Sequence, residues 1–160
     1  MSKFQLVQLN IAKIQFPLDC PEMADFVNSL ERINTLADQS PGFVWRLQTE
    51  DGDATSIDYF GNETIVNMSI WNDIESLHHY VYRSDHAAVM SRRKQWFEKL
   101  KEAYNVLWWV PLGHVPGLDE ASERLLMLRC NGPTPDAFTF KRSFTPEGDQ
   151  VSNSKNPAVI

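Results

Sequence analysis

Residues 4–14 alternate in character: Val7, Leu9 and Ile11 fall on one side of an extended chain and Leu6, Gln8, Asn10 and Ala12 on the other. That period predicts a strand with one dry face and one face flecked with polar groups. Asp19-Cys20-Pro21-Glu22 then opens a helix, with proline at the first helical position and acid beside the N-terminal dipole. Met23, Phe26, Val27, Leu30, Ile33 and Ala37 recur at helical spacing until Ser40-Pro41-Gly42 stops them. Phe43 to Thr49 reads as a second strand, and Asp51-Gly52-Asp53 opens a polar loop that runs to about Glu63. In the third strand, Ile65 to Trp71, Val66, Met68 and Ile70 share one face while Ile65, Asn67, Ser69 and Trp71 share the other.

Helical spacing resumes at Asp73 with Ile74, Leu77 and Val81. Ser84-Asp85 breaks that helix and recaps a further one carrying Val89, Arg93, Trp96, Phe97 and Leu100. Val106 to Leu112 is a strongly apolar strand that contains Trp108-Trp109. After a turn at Gly113 to Pro116, Gly117-Leu118-Asp119-Glu120 starts another helix, with Glu120 spaced as in a capping box. Asn131-Gly132-Pro133 ends it, and Ala137 to Phe144 is expected to add a short strand. From Thr145 the chain is polar with little to bury, which predicts a disordered tail over 145–160.

The order is β-α-β-β-α-β, the ferredoxin-like α+β arrangement, in one domain over residues 1–144 with an extra C-terminal helix. Such a sheet carries helices on one face. The other face is expected to hold Leu6, Trp71 and one of Trp108 and Trp109. Two tryptophans on an uncovered face would leave a large apolar patch on a monomer, so a homodimer with its sheets face to face is expected.

Length and charge narrow the class of partner. At 160 residues the chain is one domain with room for a proper core, and 42% hydrophobic content is that of a globular protein. A net charge of −6 argues against nucleic acid and anionic membrane surfaces as partners. No run approaches the roughly 20 apolar residues of a membrane span. The N-terminus alternates like a strand rather than like a signal peptide. Cys20 and Cys130 are isolated thiols, read as reduced, so the expected location is cytoplasmic.

Candidate chemistry concentrates on a few positions. The mixed face of Asn67, Ser69 and Trp71 suits the wall of a cavity, where polar groups orient a ligand against aromatic surface. The alternative is that Asn67 satisfies backbone groups near a seam while Trp71 fills a core. His86, just after the helix break, is either a general base facing that cavity or a structural histidine tied to a neighbouring carbonyl. Arg93 falls on the apolar stripe with Val89 and Trp96, so it is either paired across a dimer or aimed at an anionic ligand. His78 and His79 are adjacent, about 100° apart around a helix, and do not share one ion; no metal site is expected. The chain has no glycine-rich phosphate loop and no nucleophile elbow.

Four stretches carry a family resemblance. They are Ile65-Val66-Asn67-Met68-Ser69-Ile70-Trp71; Tyr82-Arg83-Ser84-Asp85-His86 with Arg92, Arg93 and Trp96-Phe97; Trp108-Trp109-Val110-Pro111; and Gly132 to Phe140. In them the chain resembles the dimeric α+β barrel superfamily, and within it an uncharacterised bacterial family related to the antibiotic biosynthesis monooxygenases. The resemblance to cofactor-free quinone-forming relatives implies that Asn67 hydrogen-bonds a phenolate or enolate oxygen and that Trp71 stacks on the substrate ring. The tyrosine those relatives carry soon after the tryptophan has no equivalent here, since Tyr80 and Tyr82 come later. The haem-degrading relatives match at Asn10 and Tyr80, but their ligand position falls on Met90, one helical turn past His86. Neither haem nor another cofactor is therefore expected.

Two classes of function follow. In the first, a monooxygenase-like protein acts on a small aromatic or apolar molecule. Asn67 stabilises an oxyanion, His86 moves a proton, and Trp71, Trp45 and one of Trp108 and Trp109 form the walls. In the second, the protein is a non-catalytic dimeric ligand-binding or interaction module.

Overall fold

A computed structural model describes residues 2–61 and 63–151. The strands are β1 (Phe4–Lys13), β2 (Phe43–Arg46), β3 (Thr64–Trp71) and β4 (Asn105–Pro111). The helices are α1 (Ala24–Gln39), α2 (Ile74–Arg83), α3 (Asp85–Met90), α4 (Arg93–Trp96) and α5 (Leu118–Asn131). The sheet order is β2-β3-β1-β4, with every neighbouring pair antiparallel. This is the ferredoxin-like split βαβ arrangement, α+β, as the hydrophobic pattern predicts.

The local breaks explain the boundaries. Pro21–Met23 form a single tight turn before α1 starts. Ser84 is extended, closing α2 and capping α3, and its hydroxyl accepts from the His86 N–H. Gly42 takes φ +84°, and a Cβ there would stand 2.1 Å from the Ser76 hydroxyl. Only glycine lets the start of β2 lie against α2 in this way. The expected long helix to Leu100 is shorter: α4 ends at Trp96, and Phe97 bridges in extended form to Ile14.

Two sides of one sheet are buried differently. Val7, Leu9, Ile11, Val66, Met68, Ile70, Val106, Trp108 and Val110 pack under Ala121, Leu125 and Leu128 of α5 and under the loop residue Ala54. Leu6, Trp71, Leu107 and Trp109 pack on the other side against Ala37 of α1 and Leu77, Tyr80 and Val81 of α2. The expected face assignment is thereby corrected. Leu6 and Trp71 belong to the helix-covered face together with Trp109, while Trp108 lies on the opposite one. That opposite face is not bare, because α5 covers it within the same chain, so the reason offered for a face-to-face dimer falls away.

Glu120 explains how α5 is fixed there. It does not cap its own helix, since Gly117 is the N-cap and has no side-chain cap. The carboxylate instead reaches the sheet, accepting from Trp108 Nε1 at 2.9 Å and approaching His114 Nε2 at 2.8 Å. Burial alone would raise the carboxyl pKa, but the hydrogen bonds from His114 and Trp108 outweigh it and hold it below the usual value.

The segment after α5 returns to the helix-covered face. Phe138 exchanges two backbone hydrogen bonds with Leu107 on the outer edge of β4, and Phe140 and Phe144 are buried. It is a bridge rather than the strand expected over 137–144. Residues 145–151 fold back on it, with Val151 N–H donating to the Ser143 carbonyl. The rest of the expected disordered tail, 152–160, lies outside the described residues.

Leu125 and Leu126 test whether α5 covers the sheet, because the first is 3% exposed and the second 61%. Leu125→Ala is expected to cost about 2–5 kcal/mol in urea unfolding and Leu126→Ala about 0.5 kcal/mol or less. Equal small losses would mean that α5 is not packed on the sheet.

Candidate functional site

The helix-covered face is dry at one end and polar at the other. Antiparallel register aligns Leu6 with Trp71 and Trp109 at the dry end. Four residues along β1, Asn10 aligns with Asn67 on β3 and Asn105 on β4, so three asparagines form a row across the sheet. Helices α1 to α4 do not close over that polar end. A cavity of about 550 Å³ remains, floored by Gln8, Asn10, Ala12, Ile65, Asn67, Ser69 and Asn105. Phe26, Ile33, His86, Val89 and Trp96 contribute to its helical side, and Thr139, Phe140 and Lys141 to one margin.

The asparagines are not equivalent. Asn67 is exposed into this space, and its amide makes no hydrogen bond among the described residues. Asn105 Oδ1 accepts from Gln8 Nε2 at 3.4 Å. Asn10 Oδ1 is fully buried with no partner among the described residues. A buried acceptor left unmade costs about 1–3 kcal/mol, so that atom calls for a donor.

His86 stands on the helical side. Its Nδ1 donates to the Val81 carbonyl at 3.4 Å, and its ring tilts against Tyr80 with centroids 4.8 Å apart. Burial lowers its pKa, although the Val81 bond acts the other way. The neutral ring keeps Nε2 as an acceptor.

Trp71 does not present a free ring. It is fully buried, stacks on Tyr80 at 5.0 Å, meets Phe43 edge-on at 5.4 Å, and donates from Nε1 to the Ser69 hydroxyl at 2.9 Å. It backs the cavity's dry end rather than offering a face to a ligand. Tyr80 donates to the Ile33 carbonyl at 3.2 Å, and burial pushes its phenol pKa far up. Both rings hold the wall in place.

Two arginines reach the cavity by different routes. Arg46 is held by Asp38, with Nε to Oδ1 at 2.8 Å, and donates to the Gly52 carbonyl at 2.7 Å. Arg93 lies over the Tyr104 ring, Cζ 4.5 Å from the centroid, and no described carboxylate pairs with it.

The structure therefore brings together Asn67, His86, Asn10, Tyr80, Trp71 and Arg93. It leaves out the other tryptophans. Trp45 packs on the α5 side beside Ile70, and Trp108 is buried there against Glu120. Trp109 is on the helix side but donates to the Phe144 carbonyl, away from the cavity. Sequence reasoning missed Asn105, because β4 was drawn from its first apolar residue, Val106. It also missed Arg46, whose role depends on an aspartate eight residues earlier on α1. Among the described residues, no three His, Cys, Asp or Glu side chains are grouped to hold a metal ion. No described helix is long and apolar enough to cross a membrane.

Solved structures offer likenesses at low identity. A protein of unknown function from Nitrosomonas europaea matches at 14% identity and a TM-score of 0.46, over 72% of this chain and 95% of its own. SnoaB, a cofactor-independent oxygenase from Streptomyces nogalater, matches at 12% identity and a TM-score of 0.44, over 69% and 95%. A dabb family protein with a ferredoxin-like fold from Mesorhizobium loti matches at 14% and 0.40, over 71% and 98%. These likenesses assign no activity, and the fold assignment rests on this chain's own strand order. No curated protein matches the sequence. Over residues 5–154 the chain matches the family described as Domain of unknown function (DUF3291), and it belongs to that family.

Proposed function

We propose that the cavity binds a small apolar or aromatic molecule with an ionisable oxygen, that His86 takes its proton, and that Asn67 holds the oxyanion. The observation that carries this reading is the convergence on one cavity of an amide unbonded among the described residues and a half-buried imidazole whose pKa burial lowers. Amide donors aimed at a developing anion stabilise it most where water is excluded. A base whose acceptor nitrogen faces the substrate completes the pair. With dioxygen as co-reactant, the anion of an activated methylene undergoes cofactor-free oxygenation. One methylene and one dioxygen give one ketone and one water, the substrate supplying all four electrons.

A second reading, a binding module without turnover, draws on a different observation. The Trp71 ring is stacked on Tyr80 and the Tyr80 phenol is bonded to Ile33, so neither is spare for ring stacking or proton relay. Substitution separates the two readings. Asn67→Ala and His86→Gln should retain the unfolding free energy within about 1 kcal/mol. In the oxygenase reading, both lose turnover of an anthrone probe by about a hundredfold or more, read as dioxygen uptake. Binding of the probe by wild type without uptake supports the module instead. Unfolding of both variants would mean that the two side chains are structural and would end the site assignment.

The His86 environment also sets a pH dependence. The folded chain disfavours the protonated ring, so the stability concerned is present above the ordinary imidazole pKa and is lost as pH falls through it. From about pH 7 to about pH 5, wild type should lose more stability than His86→Gln in paired urea titrations. Parallel curves would show that the ring is not desolvated.

A further inference from the structure

Among the described residues, Arg93 and Asn10 Oδ1 stand in the cavity walls without a carboxylate and without a donor, respectively. Asp53 lines the cavity, but its Oδ1 already accepts from the Thr55 N–H at 2.9 Å and the Thr55 hydroxyl at 2.6 Å. Arg46 has its aspartate on α1. Among the described residues Arg93 has only the face of Tyr104, and a cation–π contact leaves the edge donors of the guanidinium unspent. Tyr104 immediately precedes Asn105, and its carbonyl accepts from the Ile11 N–H at 2.9 Å. The Tyr104 ring packs against the α5-side core, so Arg93 stands beside the start of β4 rather than in the asparagine row, and it shares with that row only the cavity itself. Within the row, Asn10 Oδ1 is buried and without a donor among the described residues.

A half-buried guanidinium without a counterion suits a planar anion, which it meets with two parallel hydrogen bonds. A buried amide oxygen accepts only, so the group that satisfies it must bring a hydrogen. The surrounding side chains, Phe26, Ile33, Val89 and Trp96, favour an apolar body. Resting on the reading of this cavity as a ligand site, we propose that its ligand is an aromatic carboxylate that also carries a hydroxyl or N–H. Arg93 takes the carboxylate, and the half-buried Asn10 amide on the cavity floor turns its covered Oδ1 to the hydrogen. Recognition of an anion by an acidic protein is then local, confined to one half-buried guanidinium on the cavity wall.

Two fluorescent dyes test this directly. Anilinonaphthalenesulfonate is an aromatic anion with an N–H, and N-phenylnaphthylamine is the same skeleton without the charge. Wild type should bind the sulfonate at one site per chain, at least about tenfold more tightly than the neutral dye. Arg93→Gln should erase that preference while leaving the neutral dye's affinity unchanged, which also shows that the cavity is intact. Arg93→Lys should retain part of the preference. Asn10→Ala should weaken both dyes alike, because both carry the N–H. Equal binding of the two dyes by wild type, or a preference that survives Arg93→Gln, would overturn the anionic ligand and leave the cavity reading standing. Unchanged binding of both dyes by Asn10→Ala would overturn the donor requirement. If neither dye binds, the cavity is not a ligand site and both proposals fall together.

Discussion

The pleat of β1 governs where everything else lies. This strand is hydrogen-bonded on both edges, to β3 and to β4, so neither a slip nor a twist can be absorbed at a free side. Side chains alternate with period two, and a one-residue slip would exchange the faces throughout. With the observed register, Val7, Leu9 and Ile11 all enter the dry layer beneath α5. The opposite face changes character along its length, from Leu6 through Gln8 to Asn10. Because β3 and β4 run antiparallel to β1, their own apolar and polar ends coincide with those of β1. One end of the face thus becomes core under α2, and the other becomes the floor of a cavity.

The second consequence concerns what covers the sheet. A ferredoxin-like sheet with helices on one side must find a cover for the other. Here that cover comes from the same chain. Trp108, the largest fully buried side chain on that face, lies beneath α5 and is bonded to Glu120. The indole N–H would otherwise be a buried donor without a partner, and the carboxylate would otherwise lose solvent for nothing. Each group resolves the other's cost, and His114 adds a further bond to the same carboxylate at 2.8 Å. A second sheet is not needed to dry this surface.

Strands, helices and the break at Ser84 were legible in the sequence because each has a local cause: alternation, helical spacing, or a capping hydroxyl. The cavity was half legible. Asn67, Asn10 and Ser69 were readable as a polar face, since alternation alone puts them there. Their alignment with Asn105 was not, because it depends on the pairing of β1 with a strand nearly a hundred residues away. The tryptophans failed for a related reason. Bulk and aromaticity suggest a wall, but Trp45 and Trp108 share the parity of Ile70 and Val106, and parity sends them to the dry side. The covering role of α5 left little trace, as the exposed Leu126 and the buried Leu125 adjoin in the sequence and only the fold tells them apart.

Ser84 shows how a local signal reaches the site. As the extended residue between α2 and α3, it would leave helix-end groups unsatisfied on both sides. Its hydroxyl donates to the Tyr80 carbonyl and accepts from the His86 N–H, serving both ends at once. An N-cap of this kind is worth about 1 kcal/mol. The break turns the chain so that His86 lies against Tyr80 rather than continuing the line of His79. Tyr80 is itself held by the Ile33 carbonyl and by Trp71. The imidazole's place in the cavity wall is therefore set mostly by groups other than its own ring, whose one bond, to Val81, is long at 3.4 Å. Nε2 is left uncommitted as a result, and a general base has to keep that nitrogen free.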